Sequence, residues 1–143
     1  MFLLDTNVIS ELRRPDKADR HVLAWATAQP ASNFFLSAIS ILEIELGARR
    51  IARKDHAQGA VLREWIDAQI LTRFDGRILP IDTAVAQRCA QLHVPDPRAE
   101  RDALIAATAL VHGLTVVTRN VGDFQTAGIA LINPWEPQGP GKS

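Results

Sequence analysis

The chain has 143 residues, of which 47% are hydrophobic, and this composition fits one globular domain rather than a disordered or fibrous protein. Sixteen Lys and Arg balance sixteen Asp and Glu, so the formal net charge of zero argues against nucleic-acid binding driven by bulk charge. A local cleft of acids ringed by bases stays compatible with that balance.

The chain shows no sign of export or membrane insertion. It contains one cysteine, Cys89, so an internal disulfide is ruled out. The apolar start of the chain stops at Asp5 with no basic segment before it, unlike a signal peptide. No apolar stretch approaches the roughly 20 residues needed to cross a membrane. The expected location is therefore the reducing cytoplasm.

The first half of the chain alternates between short apolar runs and helical patterns. The opening apolar run ends in the polar Asp5-Thr6-Asn7, as a buried strand followed by a turn would. The predicted elements, in chain order, are strand Met1–Leu4, helix Val8–Arg13, helix Arg20–Gln29, strand Asn33–Ser37 and helix Ser40–Arg53.

Turn-forming residues divide the second half. Asp75-Gly76 closes a long helix, and Gly113 stands where a helix C-terminus is expected. The predicted elements are helix Ala57–Phe74, strand Ile78–Ile81, helix Thr83–His93, helix Ala99–His112, strand Leu114–Thr118 and strand Ile129–Ile132. Strands that alternate with helices predict βαβ units, and hence a three-layer α/β/α domain with a mainly parallel central sheet.

The domain is expected to span residues 1–135 and to be followed by a flexible C-terminal tail over 136–143. Residues 134–143 contain three of the eight prolines and two of the eight glycines, which is typical of a tail.

Four carboxylates from distant parts of the chain fall at one edge of such a sheet. Asp5 ends the first strand, and Glu43 lies early in the helix after the second. Asp102 lies near the start of the helix before the Leu114–Thr118 strand, and Asp123 follows that strand. Ligands of parallel sheets bind beyond the carboxyl ends of the strands, which is where these acids would meet.

Clustered carboxylates raise one another's pKa unless a cation is bound between them. Oxygen ligands favour a hard ion, Mg²⁺ or Mn²⁺, over zinc or copper. Such an ion, or a pair about 4 Å apart, can activate water and stabilise the oxyanions of phosphodiester cleavage without a nucleophilic side chain.

Each acid has a structural alternative when it is considered alone. Asp5 could cap the following helix, and Asp102 could complement a helix dipole. Glu43 could be a solvated face residue, and Asp123 could be a turn former before a phenylalanine. Their joint placement at one sheet edge favours the site.

Short motifs around these acids resemble those of PIN domains and occur in the same order. The matching segments are Leu3–Val8, Ser37–Gly47 with its Glu four positions before a Gly, Asp102–Ala109, Thr118–Phe124 and the ending Asn133–Trp135. The similarity covers residues 1–135. The subgroup that the motifs resemble most is the VapC toxins, including the FitB-like members.

The resemblance implies an Mg²⁺- or Mn²⁺-dependent endoribonuclease that hydrolyses RNA with metal-activated water. It implies that the catalytic metal ligands are Asp5, Glu43, Asp102 and Asp123. Polar neighbours would orient these ligands or water, namely Thr6, Asn7, Thr118 and Asn120. The chain would be the toxin of a type II toxin–antitoxin system.

The same resemblance implies partners. The substrate would be tRNA, rRNA or mRNA, and the chain would form a homodimer. A small antitoxin that carries the DNA-binding domain would insert its C-terminal segment into the acidic cleft and hold the toxin inactive.

Several arginines near the acids are candidate RNA phosphate contacts, and a solvated helix face explains them equally well. They are Arg49, Arg50, Arg53, Arg98 and Arg101. Glu45 is expected on a different face from Glu43, because residues two apart in a helix differ by about 200°. It could instead pair with Arg49 one turn later.

Three other functions fit part of the pattern. A haloacid-dehalogenase-like phosphatase also begins with an Asp after its first strand, but its second acid would fall on Asn7. A PIN scaffold that only binds RNA or protein would be indicated by loss of a carboxylate, and all four are present. A DNA-directed structure-specific nuclease would share the metal chemistry, but usually has long insertions that this compact chain lacks.

Overall fold

Five strands form one parallel sheet in the order β3-β2-β1-β4-β5. The computed structural model describes residues 1–125 and 128–138. The strands are β1 Phe2–Leu4, β2 Phe34–Ser37, β3 Ile78–Leu79, β4 Thr115–Val117 and β5 Leu131–Ile132. Since β1 pairs with both β2 and β4, the first strand lies at the centre of the sheet. The parallel sheet predicted from the sequence is confirmed, and the carboxyl ends of its strands share one edge.

Six α-helices connect the strands. They are α1 Thr6–Leu12, α2 Arg20–Thr27, α3 Ala38–Lys54, α4 His56–Trp65, α5 Thr83–Leu92 and α6 Glu100–His112. Most begin where an Asp or Ser side chain accepts a backbone N–H. Gly113 ends α6 at φ 67°, which confirms the predicted helix C-terminus. In the described residues, no helix is long and apolar enough to cross a membrane.

Successive strand residues face opposite sides of the sheet, and each side has its own hydrophobic core. Leu3 and Val116 pack with residues of α5 and α6. Leu4 and Val117 pack with residues of α1, α2, α3 and α4. Because neighbouring strand residues point to opposite faces, helices cover both sides, and the predicted three-layer architecture is confirmed.

The long helix predicted over Ala57–Phe74 is wrong in its second half. The α-helix ends at Trp65, and the chain continues as a π-helical segment over Ile66–Leu71. Ile66 and Ile70 are both buried, as the pattern predicted. Hydrophobic spacing shows which residues face the core, but it does not distinguish an α-turn from a π-turn.

The predicted tail over 136–143 stays a prediction, because residues 139–143 lie outside the described residues. Where the chain is described, the Gln138 amide donates to the backbone carbonyls of Asn133 and Glu136, at 3.1 and 2.8 Å. The start of the tail is therefore connected to the end of β5.

Candidate active site

Asp5 lies at the central strand of the sheet edge, where it ends β1 and begins α1. It is 6% exposed, and one carboxylate oxygen accepts the backbone N–H of Thr6 at 2.8 Å. The other oxygen accepts the hydroxyl of Thr118 at 2.8 Å and the amide of Asn7 at 3.3 Å. Asp5 therefore caps α1, which is the structural alternative considered for it above. Its hydrogen bonds also fix its carboxylate at the carboxyl edge of the sheet.

Side-chain hydrogen bonds join the turn after β1 to the turn after β4. The buried Thr118 hydroxyl accepts the backbone N–H of Asn120 at 3.0 Å and the Asn7 amide at 3.4 Å. The Asn7 side-chain oxygen accepts the backbone N–H of Arg119 at 3.3 Å. Asn7 and Thr118 thus contact Asp5 directly, whereas Asn120 contributes its backbone.

Glu43 reaches the same edge from α3. The Thr6 hydroxyl donates to Glu43 Oε1 at 2.7 Å. On the other side, Arg101 Nη1 lies 3.8 Å from Glu43 Oε2. Thr6 therefore contacts Asp5 through its backbone and Glu43 through its hydroxyl, so it links two of the four predicted ligands.

Asp102 and Asp123 arrive from the opposite face of the sheet. Asp102 stands in the first turn of α6, and Asp123 in the 3-10 turn Val121–Phe124 that follows β4. The backbone N–H of Asp123 donates to the Asn120 carbonyl at 3.0 Å. Phe124 is 2% exposed in the core, so its packing anchors the turn that carries Asp123.

The four carboxylates share one electrostatic field. Burial raises the pKa of Asp5, and the charges of Glu43 and Asp123 raise it further against the hydrogen bonds that it accepts. Burial also raises the pKa of Asp102, to which the charges of the other three acids add. Acids from three other segments therefore lie close enough to Asp102 to oppose its ionisation.

This donor set fits a hard divalent cation. Each group supplies oxygen, and acids that raise one another's pKa are stabilised by a counter-charge. Within residues 1–125 and 128–138, no group of three or more His, Cys, Asp or Glu side chains lies close enough together to hold a metal ion by itself. Mg²⁺ usually keeps several of its waters and binds through one or two carboxylates, so it does not require a closed cage of protein ligands.

Glu45 lies on a different face of α3 from Glu43, as predicted, and its ion pair is formed with Arg63, whereas Arg49 acts on it only as a nearby charge. Its carboxylate pairs with Arg63 of α4 at 2.6 Å, and Arg63 also binds Asp67 at 2.7 Å. Hydrogen bonds from Arg63 lower the pKa of Glu45. The partner comes from another helix, which spacing along α3 could not show.

The predicted RNA-binding arginines do not form one group. Arg101 lies beside Glu43 at the acidic edge. The Arg98 guanidinium donates to two backbone carbonyls at 3.1 and 3.2 Å, which indicates a structural role. The remaining three are exposed toward the C-terminal end of α3, namely Arg49, Arg50 and Arg53. Of these five arginines, Arg101 is the one whose guanidinium lies beside a carboxylate in the described residues.

Sequence reasoning missed two residues near the edge, Ser40 and Arg119. The buried Ser40 hydroxyl lies 3.1 Å from that of Thr6. Ser40 stands three residues before Glu43, so helical spacing was a usable signal for it. The Arg119 guanidinium lies 5.2 Å from the ring centre of Trp135. That contact joins separate loops, and the sequence has no signal for it.

The chain belongs to the PIN-domain family, because residues 2–128 match the family model described as PIN domain. It is 37% identical over 142 residues to the VapC ribonuclease Y4jK of Sinorhizobium fredii, covering 96% of this chain and 99% of that protein. It is 42% identical over 140 residues to toxin FitB of Neisseria gonorrhoeae, covering 94% and 99%.

Solved structures show the same fold. The chain is similar to one in the crystal structure of FitAcB from Neisseria gonorrhoeae, with a TM-score of 0.85, 41% identity and 94% and 99% coverage. A toxin–antitoxin complex from Klebsiella pneumoniae matches with a TM-score of 0.68, 31% identity and 95% and 99% coverage. The resemblance to VapC and FitB-like PIN domains, inferred from motifs, is confirmed.

Proposed function

We propose that this chain is the toxin of a type II toxin–antitoxin pair and a divalent-metal-dependent endoribonuclease. The observation that carries the proposal is the placement of four carboxylates on segments that end or begin at one edge of the sheet, which are Asp5, Glu43, Asp102 and Asp123. Relatives named VapC ribonuclease and toxin FitB, similar over nearly their whole length, support it.

Mg²⁺ or Mn²⁺ bound at this edge would supply an activated water and stabilise the oxyanions of phosphodiester hydrolysis. The four acids would hold the ion. The Thr6 N–H and the Thr118 hydroxyl each bind one oxygen of Asp5, so they orient its remaining lone pairs. The Thr6 hydroxyl does the same for Glu43. The remaining predicted neighbours are Asn7 and Asn120, which both donate hydrogen bonds to the Thr118 hydroxyl and so hold it in place.

Of the five predicted arginines, Arg101 is the one that we assign to RNA. It stands next to Asp102 at the start of α6, and its side chain is 49% exposed. Its pairing with Glu43 at 3.8 Å is long and half-solvated, so a substrate phosphate can compete for it at little cost. A cation here offsets the repulsion between the acids and the RNA backbone.

We further infer an antitoxin partner and a homodimer. The matched solved structures include one of FitAB bound to a DNA fragment and a toxin–antitoxin complex. By analogy, a small antitoxin would carry the DNA-binding domain and inhibit this chain, whose substrate would be tRNA, rRNA or mRNA in the cytoplasm. Co-purification of the chain with the product of an adjacent small gene tests the first part, and its mass in solution tests the second.

The central experiment compares RNA cleavage by the wild type, Asp102→Asn and Asp75→Asn. Asp75 is exposed in the turn before β3, at the opposite edge of the sheet, so it is a matched control. We expect cleavage with Mg²⁺ or Mn²⁺ that EDTA stops. Asp102→Asn should lose at least about a hundredfold in rate, since an ion contributes several kcal/mol to such reactions. Asp75→Asn should cleave like the wild type.

Each rival function predicts a different result in the same assay. Cleavage that resists EDTA, or full activity of Asp102→Asn, would overturn the metal mechanism. Cutting of a DNA of the same sequence in place of RNA would favour a DNA-directed nuclease. RNA binding with no cleavage in any divalent metal would favour a non-catalytic PIN scaffold.

A further inference from the structure

Arg119 and Trp135 form a cation–π pair at the end of the sheet that carries the acids. Both follow the carboxyl ends of strands, Arg119 after β4 and Trp135 after β5. The guanidinium carbon of Arg119 lies 5.2 Å from the centre of the Trp135 ring. Stacking on an aromatic face holds the planar guanidinium in place and leaves the N–H groups at its rim free to bind an anion.

The backbone around this pair is tied to the predicted site. The Arg119 N–H donates to the Asn7 side chain at 3.3 Å, and the Arg119 carbonyl accepts the Asn133 amide at 3.5 Å. Asn133 also accepts the backbone N–H of Trp135 at 3.0 Å. Asn7 also donates to Asp5, so a path of two hydrogen bonds through Asn7 joins the Arg119 backbone to the Asp5 carboxylate.

Arg119 differs from Arg63, Arg98 and Arg101 in how its charge is used. It is exposed, and within residues 1–125 and 128–138 it forms no ion pair. By contrast, Arg63 and Arg101 face carboxylates, and Arg98 donates to backbone carbonyls. The guanidinium of Arg119 therefore keeps hydrogen-bond donors for a group from outside the chain.

The position of this pair complements that of Arg101. Trp135 packs on the core of the sheet face covered by α1 and α2, whereas α6, which carries Arg101, covers the other face. Arg101 and the aromatic partner of Arg119 therefore belong to elements that pack on different faces of the sheet. The phosphates that flank a phosphate bound at the acids are the groups that a cation beside this edge, such as Arg119, can contact.

We propose that Arg119, in cation–π contact with Trp135, binds a backbone phosphate of the RNA beside the acids. The inference rests on the proposed ribonuclease function and adds a substrate-binding residue to it. Arg119 would act by positioning RNA and would take no part in the chemical step.

The test measures binding of a single-stranded RNA to the Asp102→Asn protein, which should not cut it, over a series of salt concentrations. Adding Arg119→Ala should weaken binding about five- to tenfold and reduce the salt slope by about 0.7, the value for one phosphate contact on a single strand. Arg119→Lys should be intermediate, because lysine keeps the charge without the planar stack. Trp135→Phe should weaken binding less.

A matched control is Arg73→Ala, because Arg73 is exposed and precedes β3 at the opposite edge of the sheet. It should leave both affinity and salt slope nearly unchanged. In the cleaving protein, Arg119→Ala should raise KM while kcat stays within about twofold, with an unchanged Tm. A merely structural role would lower the Tm and leave the salt slope as it was.

The outcomes separate the two proposals. If Arg119→Ala binds RNA with the affinity and salt slope of the Arg73→Ala control, the role of Arg119 is wrong, and RNA cleavage by the wild type would still support the ribonuclease. If the wild type neither binds nor cleaves RNA, both proposals fail together.

Discussion

The Asp5 carboxylate accepts three hydrogen bonds, and yet its pKa lies above the ordinary value. Burial removes water from the charged form, and the nearby charges of Glu43 and Asp123 add repulsion. These effects outweigh the hydrogen bonds. At the scale of single residues, the candidate site thus contains an acid that is held in place and is costly to ionise without a counter-charge.

This cost predicts how the metal-free protein responds to pH. When folding raises the pKa of a carboxyl group, there is a pH range between its unfolded and folded pKa. In that range the folded state still holds a proton that the unfolded state has lost. The free energy of unfolding therefore falls as pH rises from about 3.8, the ordinary value, through the raised pKa of Asp5 and Asp102. The stabilising contribution of these two groups is largest in acid.

Asp5→Asn should relieve this penalty while keeping an oxygen that caps α1. In EDTA at neutral pH we expect a Tm equal to the wild type or about 2–4 °C higher. The loss of stability between about pH 4 and 7 should also be smaller. Calorimetry across that range measures both quantities, with Asp75→Asn as the control. A lower Tm at neutral pH would mean that the ionised carboxylate stabilises the metal-free fold.

Glu43 and Glu45 provide a paired test, because both lie on α3 but contact different residues. Glu45→Gln breaks the pairing with Arg63, so we expect a loss of up to about 1 kcal/mol in stability and unchanged RNA cleavage. Glu43→Gln should abolish cleavage with little change in stability. Urea unfolding and the cleavage assay on both variants give the result. Equal activities of the two variants would remove Glu43 from the site.

At the scale of elements, the crossing of α3 and α4 depends on a glycine. A Cβ added to Gly59 would lie 2.5 Å from Cβ of Ala52, closer than packed atoms can approach. Gly59 is buried, and it therefore allows the backbones of the two helices to meet. The crossing also brings Arg63 of α4 to Glu45 of α3.

We expect Gly59→Ala to destabilise the protein by about 1–3 kcal/mol, because the helices must move apart. Gly47→Ala is the matched control, since Gly47 lies within α3 and a Cβ there meets nothing within 4 Å. It should be neutral or stabilise by up to about 1 kcal/mol, as alanine favours helix over glycine. Urea midpoints measure both changes. Equal effects of the two substitutions would show that the close approach of Gly59 to Ala52 does not determine the stability of this helix crossing.

At the scale of the whole molecule, the candidate site joins distant parts of the chain. Its acids come from the end of β1, from α3, from α6 and from the turn after β4. An ion held by them would connect both faces of the sheet. Because these residues come together through folding, an ion that binds them favours the folded state.

Mg²⁺ or Mn²⁺ should therefore raise the Tm of the wild type in a concentration-dependent way. At a hundred times the dissociation constant, the stabilisation amounts to about 2.7 kcal/mol. The shift should shrink as pH falls, because protons compete for Asp5 and Asp102, whose pKa is raised. Thermal scans of the wild type and Asp102→Asn check this. A shift of equal size in Asp102→Asn would place the ion elsewhere.

Local patterns were enough to predict much of this molecule. Apolar runs, helical spacing and turn residues located every strand and helix, though most helix ends only approximately, because burial and backbone geometry act over a few residues. Gly113 illustrates this, since its φ of 67° is a purely local requirement. The motifs around Asp5 and Asp102 similarly pointed to the PIN-domain family, because each motif lies within one short segment.

Contacts between distant segments of the chain could be determined only from the tertiary structure. The pairing of Glu45 with Arg63 and the cation–π contact of Arg119 with Trp135 join residues that no spacing rule connects. The raised pKa of Asp5 likewise depends on burial and on charges from other elements. Side chains far apart in the chain meet only when helices pack on both faces of the sheet, so their distances and charges belong to the tertiary structure.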